Sequence, residues 1–292
     1  MPDSSISVVH GVEALTVAQG PLFVVVGVFD GLHRGHLYLL RPLRREARIR
    51  GARTTVITFD HHPDEVITGH APPLLCDPGE RLVRLAAAGV DVVVVQHFDE
   101  ALRHTPYDAF VERIRARVAL AGFLMTPDAA FGYERRGTPA ALAELGARDG
   151  FDVVVIPPFE LDGRPVRSSE IRALIAAGDL ATARRLLGRS VAVTAIREPR
   201  PDGGSHLRLP VPFALPPSGR YDGTVEPWLG LEGDGRGWRR RRVVEVRDGI
   251  VAVGGEFPAD PGESVRVSLH RWRPVRLPHR GDPVTIRPFE QL

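Results

Sequence analysis

Apolar runs alternate with amphipathic segments through the first two thirds of the chain. The run Leu22–Phe29 is almost wholly apolar, which is typical of a central parallel strand buried on both faces. The other predicted strands are Thr54–Phe59, Val90–Val95, Gly122–Met125 and Phe151–Ile156. The predicted helices are Gly35–Arg50, Pro78–Ala88, Pro106–Leu120, Pro139–Arg148, Ser169–Ala177 and Leu180–Leu187. Strands alternating with helices predict an α/β domain with a doubly wound parallel sheet.

The pattern changes after Arg189. Proline and glycine become frequent, no helix is predicted, and short strands follow one another. These strands are Ser190–Ile196, Gly219–Val225, Arg242–Val246, Ile250–Val253, Ser264–Leu269 and Pro283–Ile286. We therefore predict two domains, an α/β domain over 1–189 and a small all-β barrel over 190–292.

Composition narrows the class of protein. With 43% hydrophobic and 25% charged residues, the 292-residue chain resembles an ordinary soluble protein. The net charge of +2 is too small to indicate a nucleic-acid partner. No apolar run approaches the roughly 20 residues that span a bilayer, and no signal peptide is evident. The single cysteine, Cys76, excludes an intrachain disulfide and suits a reducing compartment. We expect a cytoplasmic protein with no membrane partner.

All basic side chains other than histidine are arginine, because the sequence contains no lysine. This excludes a phosphate-loop lysine, a Schiff-base lysine and a Ser-Lys dyad. If the protein binds phosphates, it must use arginine, histidine, hydroxyls, backbone amides or a metal.

Two motifs stand where predicted strands end and helices begin. The first comprises Gly27, Val28, Phe29, Asp30, Gly31, His33, Gly35 and His36. Its glycines allow close backbone approach, and the following helix N-terminus attracts phosphate. The two histidines, three residues apart, can point to one phosphate. The second, Arg167–Arg172, opens a helix, and its serines are either helix caps or phosphate ligands.

Four stretches in order resemble the adenylyltransferase module of the bacterial bifunctional riboflavin kinase/FAD synthetases. The first motif matches almost intact, and Thr58–Pro63 resembles Thr-Phe-Asp-Pro-His-Pro. Asp128–Gly132 resembles Asp-Phe-x-Phe-Gly, and the stretch from Val166 to Arg189 resembles the segment that ends the module. Ordered matches over about 170 residues are hard to obtain by chance.

The resemblance implies transfer of AMP from ATP, with Mg²⁺, to the phosphate of FMN, giving FAD and pyrophosphate. It implies catalytic roles for His33, His36, Ser168, Ser169 and Arg172, and nucleotide binding by Gly27, Val28, Phe29, Asp30, Gly31 and Gly35. It implies acceptor binding by Phe59, Asp60, His62, Asp128, Phe131 and Arg167. The residues that hold the metal are not indicated.

The sequence also departs from the family pattern. His61 replaces a proline, Ala129 an aromatic residue and Arg167 a serine, and these departures concern the acceptor more than the chemistry. The kinase motif Gly-Phe-Pro-Thr-Ala-Asn is absent, and Arg208–Ala214 stands where it should lie. We therefore expect a degenerate barrel without riboflavin kinase activity.

Three hypotheses stay open: an FMN adenylyltransferase, a paralogue that nucleotidylates another phosphate or phosphonate from ATP or CTP, and a non-catalytic nucleotide- or flavin-binding protein. The basic run Arg236–Arg242 favours a solvated hairpin tip over a polyphosphate or nucleic-acid site. It could also dock a second subunit, so a homo-oligomer formed through the C-terminal domain is open as well.

Overall fold

A six-stranded parallel sheet forms the first of two compact units, Met1–Ser168. The computed structural model describes residues 6–199, 205–228, 230 and 237–273. In chain order, the sheet strands are β1 (Ser7–His10), β2 (Leu22–Val26), β3 (Arg53–Phe59), β4 (Val92–Gln96), β5 (Leu120–Met125) and β6 (Asp152–Val155). They lie in the order β1-β4-β3-β2-β5-β6, so the winding reverses between β2 and β5. Doubly wound sheets bind ligands beyond the carboxyl ends of strands at this reversal.

Helices connect these strands and begin at recognisable caps. They are α1 (Arg34–Ile49), α2 (Pro63–Thr68), α3 (Pro78–Ala87), α4 (Glu100–Arg103), α5 (Tyr107–Arg115) and α6 (Pro139–Asp149). The side chains of Asp77 and Thr138 accept backbone N–H groups at the starts of α3 and α6, and a proline follows each of them. Proline suits the first helical position because its missing N–H would have no partner there. A short hairpin of β7 (Glu160–Leu161) and β8 (Arg164–Pro165) ends this unit.

The sheet is buried on both faces because successive side chains of each strand point to opposite sides. Along β2, Leu22 and Val24 belong to one hydrophobic cluster, and Phe23 and Val25 belong to the other. Helices α1 and α3 contribute to the cluster of Phe23, and α5 and α6 contribute to that of Leu22. This double burial explains why β2 is an uninterrupted apolar run.

The second unit, Ser169–Leu292, contains a closed antiparallel barrel. Its strands are β9 (Val191–Pro199), β10 (Ser205–Arg208), β11 (Gly219–Pro227), β12 (Arg240–Arg247), β13 (Ile250–Val253) and β14 (Ser264–Arg273), in the order β10-β13-β12-β11-β14-β9. The ring closes because β9 pairs with both β10 and β14. Two helices precede the barrel, α7 (Ser168–Ala176) and α8 (Leu180–Leu187).

The predicted fold class, a doubly wound α/β sheet followed by a β-barrel, is confirmed. Helix α8 packs on β9 and β14 and lies with the barrel in the second compact unit. The predicted domain boundary near Ser190 stays a prediction. The predicted helix Pro106–Leu120 is too long, since α5 ends at Arg115. The N–H of Leu22 donates to Ala119 O at 2.9 Å, which draws the following residues into the sheet as β5.

Other differences are local. Strands β1 and β10 were not predicted, and β12 begins at Arg240, so the end of the basic run lies in a strand rather than at a hairpin tip. Arg236 and the predicted strand Pro283–Ile286 lie outside the described residues. Among the described helices, none combines the length and apolar character needed to cross a bilayer.

Candidate active site

A strained turn joins β2 to α1 at the reversal of the sheet. Phe29 and Leu32 adopt left-handed backbone angles, with φ of 54° and 36°, and Gly31 has φ of 76°. A non-glycine residue in this region costs on the order of 1–3 kcal/mol, and such residues cluster at functional sites. The first motif is therefore held in a conformation that the surrounding fold imposes.

Two glycines of this motif leave no room for a side chain. A Cβ on Gly31 would lie 2.7 Å from the Cβ of Leu75, and a Cβ on Gly35 would lie 2.7 Å from Val166 O. Gly35 thus lets the first turn of α1 approach the backbone of Val166. The neighbours at both positions are protein atoms, and the predicted nucleotide binding by Gly31 and Gly35 stays a prediction.

The two motif histidines lie against each other. His33, which is 3% exposed, caps α1 by accepting the N–H of His36 on its Nδ1 at 3.3 Å. The two rings stack with centroids 3.7 Å apart, and Phe29 packs on His36 at 4.9 Å. Because Nδ1 of neutral His33 is an acceptor, its proton resides on Nε2, which makes that nitrogen a hydrogen-bond donor.

Asp30 stabilises the turn through hydrogen bonds to other segments of the chain. Its carboxylate is buried and accepts the N–H groups of Leu75, at 2.9 Å, and Cys76, at 3.4 Å. The hydroxyl of Ser168 donates to Asp30 O at 3.1 Å, so the second motif meets the first at this residue. The structure therefore shows Asp30 as an anchor for two distant segments.

A buried arginine links the ends of two strands. Arg81, which is 7% exposed, donates from Nη1 to Val28 O at 3.1 Å and from Nη2 to Phe59 O at 2.7 Å. Thr58 Oγ1 also donates to Val28 O, at 2.8 Å. One guanidinium thus joins the turn after β2 to the end of β3, and it fixes the distance between two of the predicted motifs.

A cavity of about 680 Å³ opens beside this turn. Gly27 and Val28 of the first motif line it, together with Phe59 and Phe131 from the predicted acceptor set. Four more aromatic side chains line it among aliphatic and polar ones: Phe98, Phe110, Phe123 and Tyr133. Phe59 and Phe98 meet edge to face with centroids 5.3 Å apart. Such walls suit a planar apolar group, because offset and edge-to-face aromatic contacts are favourable.

The other predicted acceptor residues have protein partners. Arg167 and Asp128 form an ion pair at 3.0 Å between Nη2 and Oδ2. The hydroxyl of Thr126, at 2.7 Å, is the main reason why the pKa of Asp128 is lowered, against the opposing effect of burial. His62 caps α2 by accepting the N–H of Asp64 at 3.2 Å.

Asp60, at the end of β3, is the centre of a polar cluster. His97 Nδ1 lies 2.6 Å from one carboxylate oxygen, and His61 Nδ1 lies 3.1 Å from the other. Burial acts to raise the pKa of Asp60, but hydrogen bonds from His97, the Phe98 amide and His61 outweigh it and lower the pKa to about 2. The hydrogen bond to Asp60 in turn raises the pKa of His97. The side chains of His61 and His97 are more than half exposed.

The structure brings the first motif, Ser168, Phe59 and Phe131 together around one end of the sheet. Ser169 and Arg172 lie on the first turns of α7, in the second unit, and their catalytic roles stay predictions. The sequence reasoning missed Arg81, His97 and Phe98. The last two follow β4 directly, so the rule that ligands bind beyond the carboxyl ends of parallel strands could have found them.

The model of one protein family, described as FAD synthetase, matches residues 16–170, which is more than half of the chain. The chain belongs to the FAD synthetase family. The resemblance read from the four motifs is thereby confirmed. The matched range includes the whole described site of the first unit, from the turn after β2 to Ser168.

Curated relatives carry the name bifunctional riboflavin kinase/FMN adenylyltransferase. The one from Pseudomonas fluorescens is 32% identical over 182 residues, which is 62% of this chain and 58% of that protein. The one from Haemophilus influenzae is 34% identical over 168 residues, or 57% of this chain and 54% of that protein. The matched stretch therefore spans less than two thirds of these relatives.

A solved structure described as a macrolide-efflux protein from Streptococcus pneumoniae has a similar fold. It superposes with a TM-score of 0.76 at 20% identity and covers 94% of this chain and 93% of its own. At this identity the likeness concerns the fold alone.

Proposed function

We propose that the chain is an FMN adenylyltransferase, which transfers AMP from MgATP to the phosphate of FMN and releases FAD and pyrophosphate. The observation that carries this proposal is the cavity with six aromatic rings in its wall, which also includes Gly27 and Val28 of the first motif. A planar ring system in the cavity would place its attached phosphate beside the start of α1. Membership in the FAD synthetase family supports the same reaction.

The transfer needs positioning and charge stabilisation more than covalent catalysis. A phosphate oxygen of FMN attacks the α-phosphorus of ATP and forms a new P–O bond, while the bond to the β-phosphate oxygen breaks and pyrophosphate leaves. The acceptor is already anionic, so no strong base is required. The N-terminus of α1, the Nε2–H of His33 and the ring of His36 would stabilise the charge on the transferring group.

Magnesium enters with ATP as part of the substrate. The buried Asp30 carboxylate accepts the amide hydrogens of Leu75 and Cys76 and so orders the first motif. Mg²⁺ usually keeps several waters and binds through substrate phosphates. Ser168, Ser169 and Arg172 are the residues proposed to hold the leaving pyrophosphate.

The barrel, we infer, lacks riboflavin kinase activity. The stretch Arg208–Ala214, where the kinase motif should lie, offers neither a threonine nor an asparagine to a nucleotide. Phe213 and Ala214 of this stretch are buried. Riboflavin incubated with MgATP should therefore yield no FMN, and the appearance of FMN would overturn this inference.

The test of the main proposal is the formation of FAD and pyrophosphate from FMN and MgATP by the purified chain. The variant His36→Asn keeps a polar side chain of similar size and should abolish product without loss of helical content. Product from the wild type alone supports the proposal. If ATP binds but FMN gives no FAD, the acceptor is another phosphorylated compound or the donor is CTP. If neither substrate turns over while flavin binds, the chain is a binding protein.

A further inference from the structure

Three side chains at the carboxyl ends of β3 and β4 form a compact set of metal-ligating atoms. Asp60, His61 and His97 each offer one ligand atom, and these atoms lie within 4.8 Å of one another. Asp60 Oδ2 lies 2.6 Å from His97 Nδ1, and Asp60 Oδ1 lies 3.1 Å from His61 Nδ1. Ligand atoms around a tetrahedral Zn²⁺ at about 2.0–2.1 Å are roughly 3.3 Å apart, so the set needs only small side-chain adjustments to close on an ion.

The sheet holds the backbone of this cluster in place. Phe59 pairs with Gln96 in the β3–β4 register, and the next residue of each strand, Asp60 or His97, contributes a ligand. The N–H of Asp60 donates to Gln96 O at 3.2 Å, which continues the pairing beyond the strands. The ligands therefore project from two adjacent strand ends rather than from a loose loop.

Backbone amides orient the carboxylate. Asp60 Oδ1 accepts the N–H of His61 at 2.7 Å and the N–H of Phe98 at 3.1 Å. Hydrogen bonds of this outer-shell kind fix the direction of a metal ligand and raise its effectiveness. They engage Oδ1 and leave Oδ2 directed at His97, where an ion would replace the shared proton.

The chemical types of the three ligand atoms indicate which class of cation would bind. Two imidazole nitrogens and one carboxylate suit Zn²⁺, Co²⁺, Ni²⁺ or Cu²⁺, whereas Mg²⁺ prefers oxygen ligands. The exposed histidine rings leave the remaining coordination positions to water. One of the ligands, His61, stands where the family pattern has proline, so the set includes a departure that the transferase chemistry does not explain.

We propose that Asp60, His61 and His97 form a binding site for a divalent transition-metal ion, with Zn²⁺ bound far more tightly than Mg²⁺. The site lies at the rim of the aromatic cavity, because Phe59 and Phe98, the sequence neighbours of two ligands, both line that cavity. The proposal concerns metal binding and does not depend on the identity of the acceptor.

The test is a titration of the full chain, first stripped of metal with EDTA, with Zn²⁺ by calorimetry and with Co²⁺ by visible absorption. His61→Gln and His97→Gln each remove one imidazole while keeping the backbone N–H. The matched control is His104→Gln, because His104 pairs with Glu100 at 3.4 Å in a histidine–carboxylate contact, outside any three-ligand cluster found among the described residues.

We expect one equivalent of Zn²⁺ to bind, at least tenfold more weakly in each of the two cluster variants and unchanged in the control. The Co²⁺ absorption bands should weaken in the same two variants, and millimolar Mg²⁺ should not compete. Three results would overturn the proposal: no stoichiometric binding to the wild type, equal binding by wild type and cluster variants, or weakening by only one of the two cluster variants. Circular dichroism of each variant separates loss of a ligand from loss of fold.

Discussion

Replacing Arg81 with leucine removes the side chain that joins the turn after β2 to the end of β3. The change deletes hydrogen bonds from a charged donor to Val28 O and Phe59 O, at 3.1 and 2.7 Å. Each such bond contributes about 1.5–3 kcal/mol. The two bonds together contribute about 3–6 kcal/mol, and relief of the buried charge offsets about 1–2 kcal/mol of that loss. In the variant, Val28 O would still accept the hydrogen bond from the hydroxyl of Thr58. We therefore expect the free energy of unfolding to fall by about 2–4 kcal/mol.

The assay is urea denaturation followed by far-ultraviolet circular dichroism, where a loss of this size lowers the midpoint by about 1–2 M. Arg81→Lys should also be destabilised, because a single ammonium cannot match the planar fork that reaches two carbonyls. Arg41→Leu is the control, since Arg41 is exposed on α1. If Arg81→Leu unfolds at the same urea concentration as this control, the inferred link between the two strand ends contributes no net stability and the reasoning fails.

Three further changes test the site and the barrel. In urea denaturation, Gly31→Ala should lower the free energy of unfolding by about 1–3 kcal/mol more than Gly69→Ala does. Both glycines have positive φ, but only at Gly31 would a Cβ meet a neighbour, Leu75. Equal losses in the two variants would contradict this reasoning. The variant His33→Asn should keep the cap on α1 and therefore the thermal midpoint, yet lower the rate of FAD formation at least a hundredfold. Full activity of this variant would show that the His33 ring takes no part in the reaction. Burial, then nearby arginines, lowers the pKa of His270, so thermal stability should decline as pH falls below about 6.5. The variant His270→Gln should lack this decline, and an unchanged decline in the variant would contradict the assignment.

The sign of the His270 effect follows from its environment. Ser190 Oγ lies 3.1 Å from Nδ1 and Thr224 Oγ1 lies 3.4 Å from Nε2, so hydroxyl groups surround a neutral ring. The unfolded chain binds a proton more readily than the folded one. Stability from this residue is thus fully present above the unfolded pKa and is lost as pH falls through the lowered folded pKa.

The sequence was informative wherever local rules decide structure. Buried parallel strands require continuous apolar runs, and Leu22–Val26 could be recognised for that reason. The starts of α3 and α6 could also be predicted from the sequence, because Asp77 and Thr138 each precede a proline at the first helical turn. The glycines of the first motif indicated a tight turn, and the fold places that turn at the reversal of the sheet.

Contacts between distant segments could not be predicted. The carboxylate of Asp30 binds the amides of Leu75 and Cys76, 45 and 46 residues away, and no local pattern indicates this contact. The predicted place of Asp30 at the nucleotide end of the site stays a prediction. The cluster around Asp60 depends on β3 and β4 being neighbours, which is a property of strand order. A single sequence specifies which segments are strands more directly than which strands lie side by side.

The closed ring of the barrel restricts how the second unit can associate with other chains. Every described strand of the ring has a partner on both sides, so no row of unpaired backbone groups is offered for another strand to extend. The six-stranded sheet of the first unit differs, since β1 and β6 are edges. Self-assembly through the described barrel must therefore rely on side chains such as the arginines of β12, and it should respond to ionic strength rather than to peptides that compete for strand pairing.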